Sequence, residues 1–129
     1  MTPGDVALVH FPFSYMEEEP FKRRPVLVIG CTLPGEVGDH AALVAQITGV
    51  AGRVANPGQG DVVVHKWKEA GLQKISVVRA RRLWTPEPRD FEGTVLGKID
   101  VETFEEVLSH VRLFISPQGA SNKPAIPEN

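Results

Sequence analysis

The chain has 129 residues, 42% of them hydrophobic, and a formal net charge of −2. That length fits one domain with a modest core, and no run of about 18 apolar residues occurs, so no transmembrane helix is expected. A single cysteine, Cys31, rules out an internal disulfide. Without the basic and apolar regions of a signal peptide, a reducing, cytoplasmic location is expected. Cys31 itself reads as a buried strand-end residue. The small net charge conceals an asymmetry. Residues 1–19 carry four acids and no Lys or Arg, residues 20–89 carry eleven Lys/Arg against five Asp/Glu, and residues 90–129 carry three against seven. A basic middle between acidic ends suits a polyanionic ligand, although the same charges also fit an ordinary solvated surface.

In chain order, two apolar runs, Asp5 to Phe13 and Pro25 to Ile29, flank a polar connector from Ser14 to Arg24. Both runs are the length of strands. The connector holds Glu17, Glu18 and Glu19, then Lys22, Arg23 and Arg24. Arg24 precedes Pro25, which holds its backbone extended and places a guanidinium at the mouth of a strand. Cys31 to His40 is rich in turn residues, and Leu43 to Thr48 reads as a buried strand. Gly49 to Gly60, with four glycines and a proline, is expected to be a mobile surface loop. Asp61 to Val64 is a further strand candidate. Trp67 to Gly71 forms a helical turn stopped by Gly71, Ser76 to Arg79 starts another strand, and Thr94 to Ile99 is the last. Asp100 then caps a helix over Val101 to Ile115. In it Val101, Phe104, Val107, Leu108, Val111, Phe114 and Ile115 make one apolar stripe. Short strands followed by one packing helix predict a mainly β chain with α, a small antiparallel barrel with helical support. Residues 1–115 form the domain, and Ser116 to Asn129, with three prolines and no aromatic residue, reads as a disordered tail.

The opening GDVALVHFPF and the RRPVLV that follows its loop, then ALVAQIT at 42–48, WKEAGL at 67–72, SVVR at 76–79 and the C-terminal helix come in a fixed order. Together they resemble the MazF/PemK family of toxin ribonucleases, over roughly residues 4–115. The resemblance implies an SH3-like barrel and a homodimer whose groove holds single-stranded RNA. It also implies a cognate antitoxin whose disordered acidic tail covers that groove. The implied activity is a metal-independent endoribonuclease without a cofactor, in which the substrate's own 2′-hydroxyl attacks the phosphate. A second reading comes from the related CcdB group, where the same barrel poisons gyrase by binding. This chain is then a non-catalytic module.

Such cleavage needs groups that stabilise extra charge on the phosphate and move protons. Arginine suits the first task because its planar fork matches two phosphate oxygens, but its pKa above about 12 makes it a poor base. By resemblance Arg24 is the residue that contacts the scissile phosphate and serves in acid/base catalysis. Thr48, at a strand end, supplies a hydroxyl, and the Gly49 amide beside it is a second donor. The family often has Ser or Thr where Gly49 stands. Arg79 is the third catalytic candidate. One family branch carries an Asp two residues beyond it, where this chain has Arg81. Lys22, Arg23, Arg81 and Arg82 are candidate RNA-phosphate contacts, Arg81 and Arg82 alternatively lining a surface for an acidic partner. His10 is a possible base near neutrality, or a packing residue. His40, His65 and His110 are assigned no chemistry. Trp67 and Trp84 either stack bases or belong to the core. No metal-ligand spacing is present.

Overall fold

The computed structural model of the chain describes residues 1–10, 23–33, 38 and 40–117. Among these residues six strands form one antiparallel sheet in the order β4-β5-β3-β2-β1-β6: β1 Asp5–His10, β2 Arg23–Cys31, β3 Ala42–Thr48, β4 Asp61–Val64, β5 Ser76–Trp84 and β6 Phe91–Lys98. A five-residue helix, α1 (Ala51–Ala55), follows β3, and α2 (Val101–Ile115) closes the chain against β4 and β5. The sheet curls into a half-barrel, so the small antiparallel barrel with a C-terminal helix expected from the sequence is the observed architecture.

Strand alternation sends one set of side chains inward. Val6, Leu27, Ala45, Ile47, Val62 and Val78 share the main core with Val107 and Val111 of α2. The opposite face is also dry in places: Ala7, Val9, Val26, Val28 and Val44 form a second buried cluster with Cys31, Trp84 and Phe91 packed on it. Burial on both faces is why β1 and β2 read as continuous apolar runs rather than as alternating ones. Each fully buried Val or Leu contributes about 1.5–3 kcal/mol. Trp67 packs against the first cluster and Trp84 against the second, so both tryptophans serve the core.

The turn Trp67–Leu72 fastens onto β6. The Gly71 amide donates to the Lys68 carbonyl (3.0 Å) and the Leu72 amide to that of Trp67 (2.9 Å). With Gly71 at φ +80°, this is a Schellman ending that a glycine permits. A Cβ on Gly71 would collide with the Leu96 carbonyl, and one on Gly97 would stand 2.6 Å from the Ala70 carbonyl carbon. Backbone meets backbone here, and both glycines are needed for it.

Several expected boundaries change. β1 is described to His10; Phe11 to Phe13, the glutamate run and Lys22 lie outside the described residues. Arg24 sits inside β2 rather than at its mouth, because β2 begins at Arg23. β5 runs to Trp84, and β6 covers Phe91–Lys98 rather than Thr94 to Ile99. The stretch 49–60 is not all loop: Ala51–Ala55, free of proline, forms α1. In α2 the Asp100 carboxylate accepts from the Thr103 amide (3.1 Å) and hydroxyl (2.9 Å), the cap its sequence announced. The apolar stripe is narrower than expected, since Val101, Phe114 and Ile115 are exposed. Of the expected tail, residues from 118 on lie outside the described residues.

Asp5 opens β1 opposite Lys98 of β6. Its carboxylate accepts from the Thr2 amide (2.8 Å) and lies 3.0 Å from the Lys98 ammonium. Burial pushes its pKa up, but the Thr2 amide and Lys98 outweigh burial and hold it below the ordinary carboxylate value. A depressed folded-state pKa gives stability that is present above the unfolded pKa, near 4, and is lost as pH falls through the folded one. Urea titrations between pH 7 and pH 3 are therefore expected to show a shallower acid loss in Asp5→Asn than in wild type. Equal slopes would remove Asp5 from that role.

Candidate active site

One rung of the sheet runs Val26–Gln46–Arg79–Asp61 across β2, β3, β5 and β4. These side chains share the face opposite the main core. Two residues along, in the same direction from this rung, lie Arg24 on β2 and Thr48 at the end of β3. They open onto a cleft of about 440 Å³ lined by Arg24, Gln46, Thr48, Arg53, Asn56 and Arg79 among others. The three catalytic candidates from the sequence thus line one cleft although 55 residues separate Arg24 from Arg79. The Thr48 hydroxyl oxygen accepts from the Val50 amide (3.3 Å), which leaves its own proton to be donated.

A second groove of about 430 Å³ shares Arg24, Ile47, Thr48 and Val50 with the first and continues past Arg23, Gly49 and Lys74. A Cβ on Gly49 would lie 2.5 Å from the Lys74 Cε. The lysine side chain therefore crosses the space where the family often has a hydroxyl-bearing residue, and the Ser76 Oγ lies 3.3 Å from the same point.

The electrostatics are strongly positive. Asp61, 4% exposed at its side chain, is the acid that balances them: its Oδ1 lies 3.6 Å from Arg79 Nε and its Oδ2 lies 3.5 Å from Arg53 Nη1. The Gly58 amide also donates to Asp61 Oδ2 (2.9 Å). Burial lowers the Arg79 pKa, Arg53 and Arg82 lower it further, and Asp61 opposes them. Guanidinium stays charged regardless.

Arg81 does not join the cleft. The β3–β5 register jumps from Gln46↔Arg79 to Ala45↔Leu83, so Ala80, Arg81 and Arg82 form a bulge. Arg81 turns towards α2 and lies 5.7 Å over the Phe114 ring, whereas Arg82 is near enough to Arg79 to act on its charge. Arg23 faces His10 across the β1–β2 ladder. Among the described residues, no group of three or more His, Cys, Asp or Glu is placed to hold a metal ion. No helix among them is long and apolar enough to cross a membrane. Arg53, Asp61 and Lys74 went unrecognised in the sequence. Arg53 is the only charged residue in 49–60, and that isolation was the available signal.

The architecture and the cationic cleft define a class: a small curled β-barrel with an arginine-lined cleft on its sheet face. The family model of PemK-like, MazF-like toxins of type II toxin–antitoxin systems matches residues 2–115, and the chain belongs to that family. Among solved structures, the MazE–MazF complex of Deinococcus radiodurans aligns over 90% of this chain and 95% of its own, with a TM-score of 0.63 and 17% identity. At that identity the likeness is one of fold. No curated protein sequence is a significant match.

Proposed function

We propose that this toxin is a metal-independent endoribonuclease acting on single-stranded RNA. The observation that supports it most is the convergence of Arg24, Thr48 and Arg79 on one cleft. The 2′-oxygen loses its proton and attacks phosphorus, negative charge builds on the non-bridging oxygens, and the 5′-oxygen leaves with a proton. Two guanidiniums and one hydroxyl aimed at those oxygens lower the barrier because they strengthen as the charge develops. Arg24, at the position the family uses for proton transfer, is nearest that role by its pattern. A homodimer and an antitoxin with an acidic tail belong to the same reading, since the basic face that grips RNA also attracts acidic peptide.

Incubating the protein with RNA in EDTA and mapping the ends tests the reaction. Fragments bearing 2′,3′-cyclic phosphate and 5′-hydroxyl ends are expected, and a 2′-deoxy nucleotide at the cut site abolishes cleavage. Cutting of the deoxy substrate, or strict dependence on magnesium, would overturn the mechanism.

A further inference from the structure

Arg53 stands in the same cleft as Arg24 and Arg79 but on a different element, the short helix α1. Its guanidinium is drawn in by Asp61 at 3.5 Å and lies against Gly58, where a Cβ would be 3.1 Å from Nη1. The Asp61 carboxylate divides itself: one oxygen faces Arg53, the other Arg79. Both separations are longer than the roughly 2.7–2.9 Å of a full charge-assisted hydrogen bond. The Arg79 Nε is buried and makes no hydrogen bond. One carboxylate thus draws in two guanidiniums, and the Arg53 side chain remains 39% exposed.

The geometry points to Arg53 as the ligand of a second backbone phosphate, next to the one held by Arg24, Thr48 and Arg79, with Asp61 as the residue that positions it. This rests on the nuclease reading for the identity of the first phosphate. The ligand class is a single-stranded phosphodiester of at least two linkages. α1 itself has no fully buried residue, and the Asp61 ion pair and the Gly58 contact help to hold the arm at the cleft.

Binding of a fluorescent, all-deoxy single strand, measured by anisotropy across a salt series, tests this without any cleavage. Each phosphate contact on a single strand contributes about 0.7 to the slope of log affinity against log salt. Arg53→Ala is expected to reduce the slope by about 0.7 and to weaken low-salt binding about 10–100-fold. Arg53→Lys keeps the slope but loses part of the affinity, because the fork is gone. Arg89→Ala, on the turn before β6, serves as the charge-loss control and leaves both unchanged. An Arg53→Ala slope and affinity equal to wild type, or a wild-type protein that does not bind the strand, overturns the inference. RNA cleavage by wild type, run alongside, reports separately on the nuclease reading: the Arg53 result stands or falls on the deoxy strand alone.

Discussion

Replacing Arg24 by Ala lowers the single-turnover rate of RNA cleavage by at least about 10²–10³, the usual loss when one preorganised donor leaves an oxyanion-type site. The fall is expected in the chemical step because the donor matters most as the phosphate gains charge. Thr48→Ala falls somewhat less, as a neutral hydroxyl offers one hydrogen bond where the guanidinium offers a charged fork. Lysine at position 24 restores only part of the rate, since a point charge does not match two oxygens at once. Cys31→Ala is the control: Cys31 lies at the far end of β2 with its thiol directed at the Met1 carbonyl. Equal rates for Arg24→Ala and Cys31→Ala would remove the cleft from the chemistry.

The second large effect is on folding. Gly97→Ala puts a methyl 2.6–2.8 Å from the backbone of Ala70 and Glu69, where no flexible side chain can give way. Overpacking costs typically about 1–3 kcal/mol; main-chain atoms on the receiving side put this site at the upper end. Gly71→Ala adds a positive φ, about 1–2 kcal/mol for a residue with a Cβ, to its overlap with Leu96. Urea unfolding is expected to show losses of about 3 kcal/mol or more for each. Gly30→Ala, with nothing within 4 Å of its added carbon, stays within about 0.5 kcal/mol. Were Gly97→Ala as mild as Gly30→Ala, the turn would not be closing on β6.

Much of this was legible in the residues. Asp100 announced the start of α2, and Gly71 announced the end of the turn before it, because caps are local and need only a few neighbours. Arg24, Thr48 and Arg79 were picked from strand ends and a family pattern. What could not be read was register. Gln46 and Arg79 meet only because β3 and β5 pair as they do, and Asp61 comes beside Arg79 only through the pairing of β4 with β5. The exposed Phe114 defeated the helix stripe for a similar reason: periodicity gives a face but not how far the sheet beneath it extends. Gly49–Gly60 looked like loop because its proline and four glycines, Gly52 inside the helix among them, masked five residues able to make a turn and a half of helix.

The three-residue bulge at Ala80–Arg82 carries a lesson for engineering. In an unbroken strand, residues 79 and 81 would point the same way, and the family branch with an acid two places after the arginine could be imitated by a single exchange. Here the spacing in the chain is no longer a spacing in space. The Arg81 guanidinium lies instead over the Phe114 ring of α2, and Arg81 is not among the residues that line the cleft. An exchange at position 81 alone is therefore not expected to place an acid beside Arg79.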